Sequence, residues 1–458
     1  MKRLAIYLFL LWVQVAPADL RATEAPVTLV VATVDNGHML QLRALSNEFE
    51  KLHPSIKLRW VTLPEGDLRK VVHSDIQTQM HRFDVVTVGM YEVPIWAAKG
   101  WLAPIRPPPG YGVEDLIDNI REGLSFQGDL YAAPFYGESS MLYYRKDLFA
   151  KAGLAMPARP TWADLAGFAE RLHDRAAGVH GICLRARPGW GENMTLVATM
   201  ANAFGGQWFG MQWRPRLQSP AWKEAVSLYV NLLQRYGPSD AIERGYNGNL
   251  ELFNSGRCAQ WVDATVAAGF VANRELNPHA AHVGFAPAPT AVTSKGARWL
   301  WAWALAIPKG AVVRRASAAQ TFVAWATSRD YVRRVAAERG WGLVPAGNRK
   351  STYAEPGFRA AAPWAGDELE AIRMADPNDA TLEPSPYLGV QFAAVGEFAS
   401  IGDAFGQAIA DAVSGRTSVD NALARGQSVA ERFLALQALP STQRRSKPQS
   451  SEQPGKRP

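Results

Sequence analysis

Apolar residues run almost without interruption through "VTLVVATV" from Val27, the pattern of a strand buried on both faces. The period then changes. Leu42, Leu45, Phe49 and Leu52 recur at three- and four-residue steps, which predicts a helix after Gly37 that Pro54 stops. "IKLRWVTL" and "FDVVTVGM" read as two further strands on either side of a helical stretch from about Asp67 to Met80. This βαβαβ order predicts an open parallel sheet with helices on both faces. Ligands of such sheets lie beyond the carboxyl ends of the strands. The loops holding Asp35 and Asn36, Pro64 to Asp67, and Tyr91 and Glu92 are therefore expected at one rim.

Beyond Tyr144 the helical period dominates, in "TWADLAGFAERLHD", "AWKEAVSLYVNLLQRY" and "RRASAAQTFVAWAT", between breaks rich in Gly and Pro. "GFAPAPT" reads as an extended connector, and no fixed period repeats. Trp299, Trp301 and Trp303 alternate along a strand and so share one face; core packing is expected for at least two of them, and Trp301 is the candidate for stacking on a ligand. A chain of 458 residues exceeds what one core usually serves, so two lobes are expected.

The ends of the chain change the picture of its charge. Lys2 and Arg3 precede an apolar run from Leu4 to Val15 and an Ala16-Pro17-Ala18 step, the form of a cleaved export signal over residues 1–18, too short for the roughly 20 residues of a spanning helix. The tail from Pro440 holds Arg444, Arg445, Lys447, Lys456 and Arg457 with few apolar residues, and is expected to be disordered over 440–458. Most of the formal charge of +7 lies in these two segments. The nearly neutral body between them offers no surface for tracking phosphates, so nucleic acid is not an expected partner. Export also bears on the two cysteines, Cys183 and Cys258. One bridge is permitted in an oxidising compartment, and two buried thiols are the alternative.

Catalytic signatures are scarce. The chain has no P-loop, no H-E-x-x-H, no C-x-x-C and no dinucleotide fingerprint, and its eight histidines show no ligand spacing, so neither a metal nor an organic cofactor is expected. Gly137 and Ser139 begin a nucleophile elbow that Met141 ends, since the turn needs glycine there. Scattered carboxylates leave a secreted glycoside hydrolase as the alternative function. What the chain has in excess is rings with polar tips, 16 Trp and 13 Tyr, many of them beside Asp, Glu or Asn. Sugars and sugar alcohols suit that combination: C–H faces lie on rings while acceptors and donors take the hydroxyls.

Longer motifs sharpen this reading. "GDLYAAPFYGESSMLYYRKDLFAKAGL", "PTWADL" and "LFNSGRCAQWVDAT" resemble the family 1 extracellular solute-binding proteins of bacterial ABC importers, over nearly the whole mature chain. "ATVDNGHM", "WVTLPEG", "YEVPIWAAKGWL", "CLRARPGWGENM", "WAWALAIPKG", "GWGLVPAG" and "PYLGVQFAAVGEF" are similar to its polyol branch, which takes mannitol, sorbitol or arabitol; "TLPEG" departs from the more usual "TLEEN". The resemblance implies an α/β, two-lobed periplasmic-binding-protein fold with a ligand cleft between the lobes, no enzymatic activity, a permease as partner, and a periplasmic monomer. Lobe boundaries of 27–135 plus 290–335, and 136–289 plus 336–439, are expected.

The expected ligand residues combine both lines of reasoning. Asn36, Glu65, Tyr91 and Glu92 come from the first-lobe rim, and Tyr136 and Glu138 from a crossing between lobes. Trp190, Asn193, Asp263 and Tyr387 come from the second lobe, with Trp301 and Trp341 as further rings. Cys183 and Cys258, both close to these second-lobe residues, are the expected disulfide.

Overall fold

The computed structural model describes residues 26–310 and 313–435; the expected export signal and basic tail lie outside these. In chain order the strands are β1 (Val27–Val34), β2 (Ile56–Leu63), β3 (Val85–Gly89), β4 (Leu102–Ala103), β5 (Ser125–Phe126), β6 (Asp129–Leu130), β7 (Ala132–Glu138), β8 (Ser140–Arg145), β9 (Gln260–Ala264), β10 (Val283–Pro287) and β11 (Trp301–Pro308).

The apolar run from Val27 forms the buried strand its composition predicts, and β1 pairs in parallel with β2 on one side and β3 on the other. β2 is an edge strand, and only Ile56 of its residues is buried. The parallel pattern then ends. β11 arrives beside β3 in the opposite direction, and β4 and β7 pair antiparallel with β11. The sheet is therefore mixed, a correction to the all-parallel expectation. Val31, Ala32, Val85, Val86, Leu305 and Ala306 are fully buried at its centre. The predicted first helix is two, Gly37–Ala44 and Ser46–Leu52, with a break at Leu45. The next helix, Glu65–Gln77, starts directly at the end of β2.

A second sheet of order β10-β8-β9 is antiparallel throughout. "GFAPAPT" thus supplies β10 rather than only a connector, with Phe285 opposite Tyr143. The same lobe holds the wholly buried helix Asn193–Ala203, the amphipathic Pro220–Tyr236 capped by Ser219, and the pair Phe398–Val413 and Val419–Ala435, which pack on one another.

The chain passes from one sheet to the other at a single residue, Ser139, between β7 and β8. It returns between β10 and β11 and leaves again after the helix Arg329–Arg339. Two crossing segments touch backbone to backbone: Gly137 N donates to Ala346 O at 3.0 Å, and Gly347 adopts φ +77°. A side chain at Gly347 would collide with the Gly137 carbonyl as well as strain the turn. Two α/β lobes joined by closely packed strands follow from this path.

Candidate functional site

The crossing decides what faces the cleft. Alternation along β7 puts Tyr136 and Glu138 on one face, and the register sets Trp303 opposite Tyr136 and Trp301 opposite Glu138. One short patch of two strands therefore carries two indoles, a phenol and a carboxylate. The Trp301 ring lies across the backbone of β3, where any side chain at Gly89 would overlap it.

This patch forms the floor of a cavity of about 230 Å³ between the lobes. The first lobe adds Asn36, Pro64, Glu65 and Arg69 from the carboxyl ends of β1 and β2, the strand-end position expected of ligand sites. Asn36 does two jobs: its Oδ1 caps the helix Gly37–Ala44 through Met39 N, and its Nδ2 donates to the Tyr136 hydroxyl at 2.9 Å. The second lobe adds Arg185, Trp190, Glu192, Tyr246 and Asn247. Asn247 Nδ2 also reaches Asp35 O at 2.9 Å, so the lobes meet beside the cavity.

Of the expected residues, Asn36, Glu65, Tyr136, Glu138, Trp190 and Trp301 line this cavity. Six others do not, and each is accounted for by a partner elsewhere. Asp263 is fully buried and holds the Arg185 guanidinium through bonds of 2.6 and 3.0 Å. Glu92 accepts from Arg69 and from Gly89 N, behind the cavity wall. The Tyr91 hydroxyl donates to Val395 O at 2.9 Å. Asn193 joins Gly189 N to Gly406 O. The Tyr387 hydroxyl accepts from Trp208 N. Trp341 packs on Gly357. These six are not on the surface of the small cavity, although Tyr91 and Glu92 line the groove that adjoins it.

Reading by residue type missed Arg69, Arg185, Glu192, Tyr246, Asn247 and Trp303. Arg69 had a signal: it stands four residues after Glu65 on the same helix face, and the two bond at 2.9 Å. Trp303, assigned to the core by expectation, lines the cavity beside Trp301. Trp299 is the core member of the three, under Arg185 at 5.7 Å.

Electrostatics favour hydroxyl groups in this space. Burial pushes the Glu138 carboxyl up to about 8, against the pull of Arg185 and with help from Asp263 and Glu65. Burial and then Glu65 raise Glu192, whose Oε2 is buried without a partner. Arg185 stays charged: burial works against its charge, and Asp263 together with Glu192 and Glu138 outweighs it. The cavity thus presents carboxyls that hold on to protons and can both donate and accept, fixed donors and ring faces. Among the described residues no group of three or more His, Cys, Asp or Glu is arranged to hold a metal ion.

Cys183 and Cys258 form a disulfide with Cα atoms 6.2 Å apart. It ties the segment carrying Arg185 to the strand carrying Asp263, so the bridge lies behind the ion pair that lines the cleft.

Known proteins share this architecture. A mannitol-binding protein of Pseudomonas aeruginosa is 48% identical over 414 residues, which cover 90% of this chain and 94% of its own length. The crystal structure of an ABC transporter solute-binding protein from Agrobacterium vitis with bound D-mannitol superposes with a TM-score of 0.88 at 46% identity, covering 90% of this chain and 99% of that one. A ribitol complex from Agrobacterium radiobacter K84 shares the fold, with a TM-score of 0.78 at 22% identity over 89% of this chain and 99% of its own. The model of the bacterial extracellular solute-binding proteins matches residues 36–333, from the Asn36 cap through Trp301 and Trp303. A cleft built to hold a solute between two lobes, within a match that spans most of its lining, makes this chain a member of the bacterial extracellular solute-binding protein family.

Proposed function

We propose that the chain is the periplasmic carrier of an ABC importer, taking a sugar alcohol such as mannitol, sorbitol or arabitol between its lobes and delivering it to the permease as a monomer. The observation that carries this reading is the cavity floor: Trp301, Trp303 and Tyr136 beside the buried carboxyl of Glu138, in about 230 Å³. That volume lies below the roughly 300–1,000 Å³ of pockets for drug-sized ligands and suits one sugar-sized molecule. An acyclic polyol presents a hydroxyl on every carbon, and each buried hydroxyl needs a partner. Glu65, Glu138 and Glu192 accept, Arg185 and Asn247 donate, and the rings take the C–H edges. The mannitol-binding relative supports the same ligand class.

Export with cleavage of residues 1–18 accords with this role. We assign the first lobe to 27–135 plus 290–335 and the second to 136–289 plus 336–439, a division in two that the two sheets support, with the crossings of the described chain at Ser139 and after Arg339. Closure follows from contact with both lobes, since only a ligand that touches both favours the closed form over the open one. Calorimetry against mannitol, sorbitol, arabitol, glucose and maltose, with product analysis, tests the reading. Binding of a polyol with no product is the expected result; turnover of a glycoside, or tight binding of the disaccharide alone, overturns it.

A further inference from the structure

A second and larger space adjoins the cavity. A groove of about 720 Å³ runs along the outer side of the same cleft, and Glu65, Arg69, Trp190, Gly191 and Glu192 line both spaces. These residues are therefore a partition, with the small cavity on one side and the groove on the other.

The partition is built firmly. Arg69 stands at its centre, its guanidinium carbon 4.1 Å from the Trp190 ring, 4.9 Å from Trp303 and 5.1 Å from Trp301. Glu65 and Glu92 hold its nitrogens. Each side of the cleft contributes: Arg69 and the two strand indoles come from the first lobe, Trp190 from the second, where its backbone N donates to Asp403 at 2.9 Å. A guanidinium clamped by two carboxylates and three rings is desolvated and has little freedom to move aside for a ligand. Beyond it the groove offers polar groups that a further sugar ring needs, Asp67, Asp403 and Gln407, beside the largely buried Trp96.

We propose that Arg69 with Trp190 is a length limit: it ends the ligand site after one acyclic polyol and keeps a glycosyl extension out of the groove. The inference rests on the polyol reading above and adds the residues that set the upper size of the ligand. Without the partition, cavity and groove form one continuous cleft long enough for a glycosylated alcohol.

The test compares mannitol and sorbitol with the same two alcohols carrying a terminal glucosyl unit, by calorimetry on the mature protein. The wild type is expected to bind a free alcohol and to give no heat with its glucosyl derivative. The double substitution Arg69→Ala/Glu92→Gln removes the guanidinium without leaving the Glu92 carboxylate unpaired, and the ratio of glucosyl-alcohol to free-alcohol affinity should rise at least tenfold. Arg69→Met/Glu92→Gln keeps comparable bulk between the rings and should still refuse the longer ligand. Should the alanine variant fail to fold, Trp190→Ala breaches the same partition from the other lobe, with the same ratio as readout. A wild type that binds free and glucosylated alcohols alike, or an unchanged ratio in a folded breached variant, overturns the length limit while leaving the polyol reading intact. A wild type that binds neither alcohol defeats the polyol reading and the length limit with it.

Discussion

Burial sets the behaviour of Glu138, and the direction of its effect on stability follows from linkage. Its carboxyl titrates near 8 in the folded chain against an ordinary value of 4.5. Between those values the folded form binds a proton that the unfolded form has released, so stability falls as pH rises. The penalty is absent below 4.5, grows through the window and is constant above 8. Glu138→Gln removes it. The substitution should raise the melting temperature of the unliganded protein more at pH 8 than at pH 5, while weakening polyol binding by about 2 kcal/mol, roughly 30-fold, because one carboxyl oxygen becomes an amide NH2 that cannot accept. Melting curves at both pH values and one titration check this, and an equal gain at both would mean that the carboxyl titrates normally. Glu138 was expected at a crossing between lobes, and the alternation of β7 puts it on the cavity face there. Asp263 was expected at the ligand and instead pairs with the buried Arg185, because an acidic residue among aromatics looks the same in sequence whichever partner it has. The partner stands 78 positions away, and nothing local announces it.

Among the elements, those made by neighbouring residues were readable and those made by distant pairing were not. β1, β2 and β3 declare themselves by composition and by the helices between them. The insertion of β11 between β3 and β7 does not, since its partners lie more than 150 residues earlier in the chain. Alternation put Trp303 on the face of Trp301, but without the partners of β11 nothing said that this face looks into the cleft. The disulfide is the covalent counterpart of such pairing. It spans 75 residues and closes the second lobe around β9, where Trp261 bridges to Cys183. Closing a loop of that length stabilises by about 4 kcal/mol in the chain-entropy account, less where the unfolded chain keeps structure. Replacing both cysteines by serine should lower the melting temperature by several degrees and shift the denaturant midpoint down. Thiol titration of the denatured, unreduced wild type should find none, and two free thiols there would remove the bridge from the account.

At the scale of the whole molecule, closure is written into one glycine. Gly191 leaves room for the Glu65 carboxylate where the lobes meet, and a Cβ at that position would overlap Glu65 Oε1 while only touching Arg69 Nε at 3.5 Å. The overlap joins residues of opposite lobes, so its cost belongs to the closed form alone. Forcing extra volume into a packed contact costs typically about 1–3 kcal/mol. A ligand that must close the lobes to bind loses that amount from its affinity, whereas folding of the separated lobes loses nothing. Gly191→Ala should therefore weaken polyol binding by about tenfold or more while the unliganded protein melts within a degree or so of wild type. Solution scattering supplies the second readout: the radius of gyration should fall when wild type takes up ligand, and fall less for the variant at saturating ligand. If the variant compacts fully and binds as wild type does, Glu65 moves aside freely. The contact between Glu65 and Gly191 would then play no part in holding the lobes together.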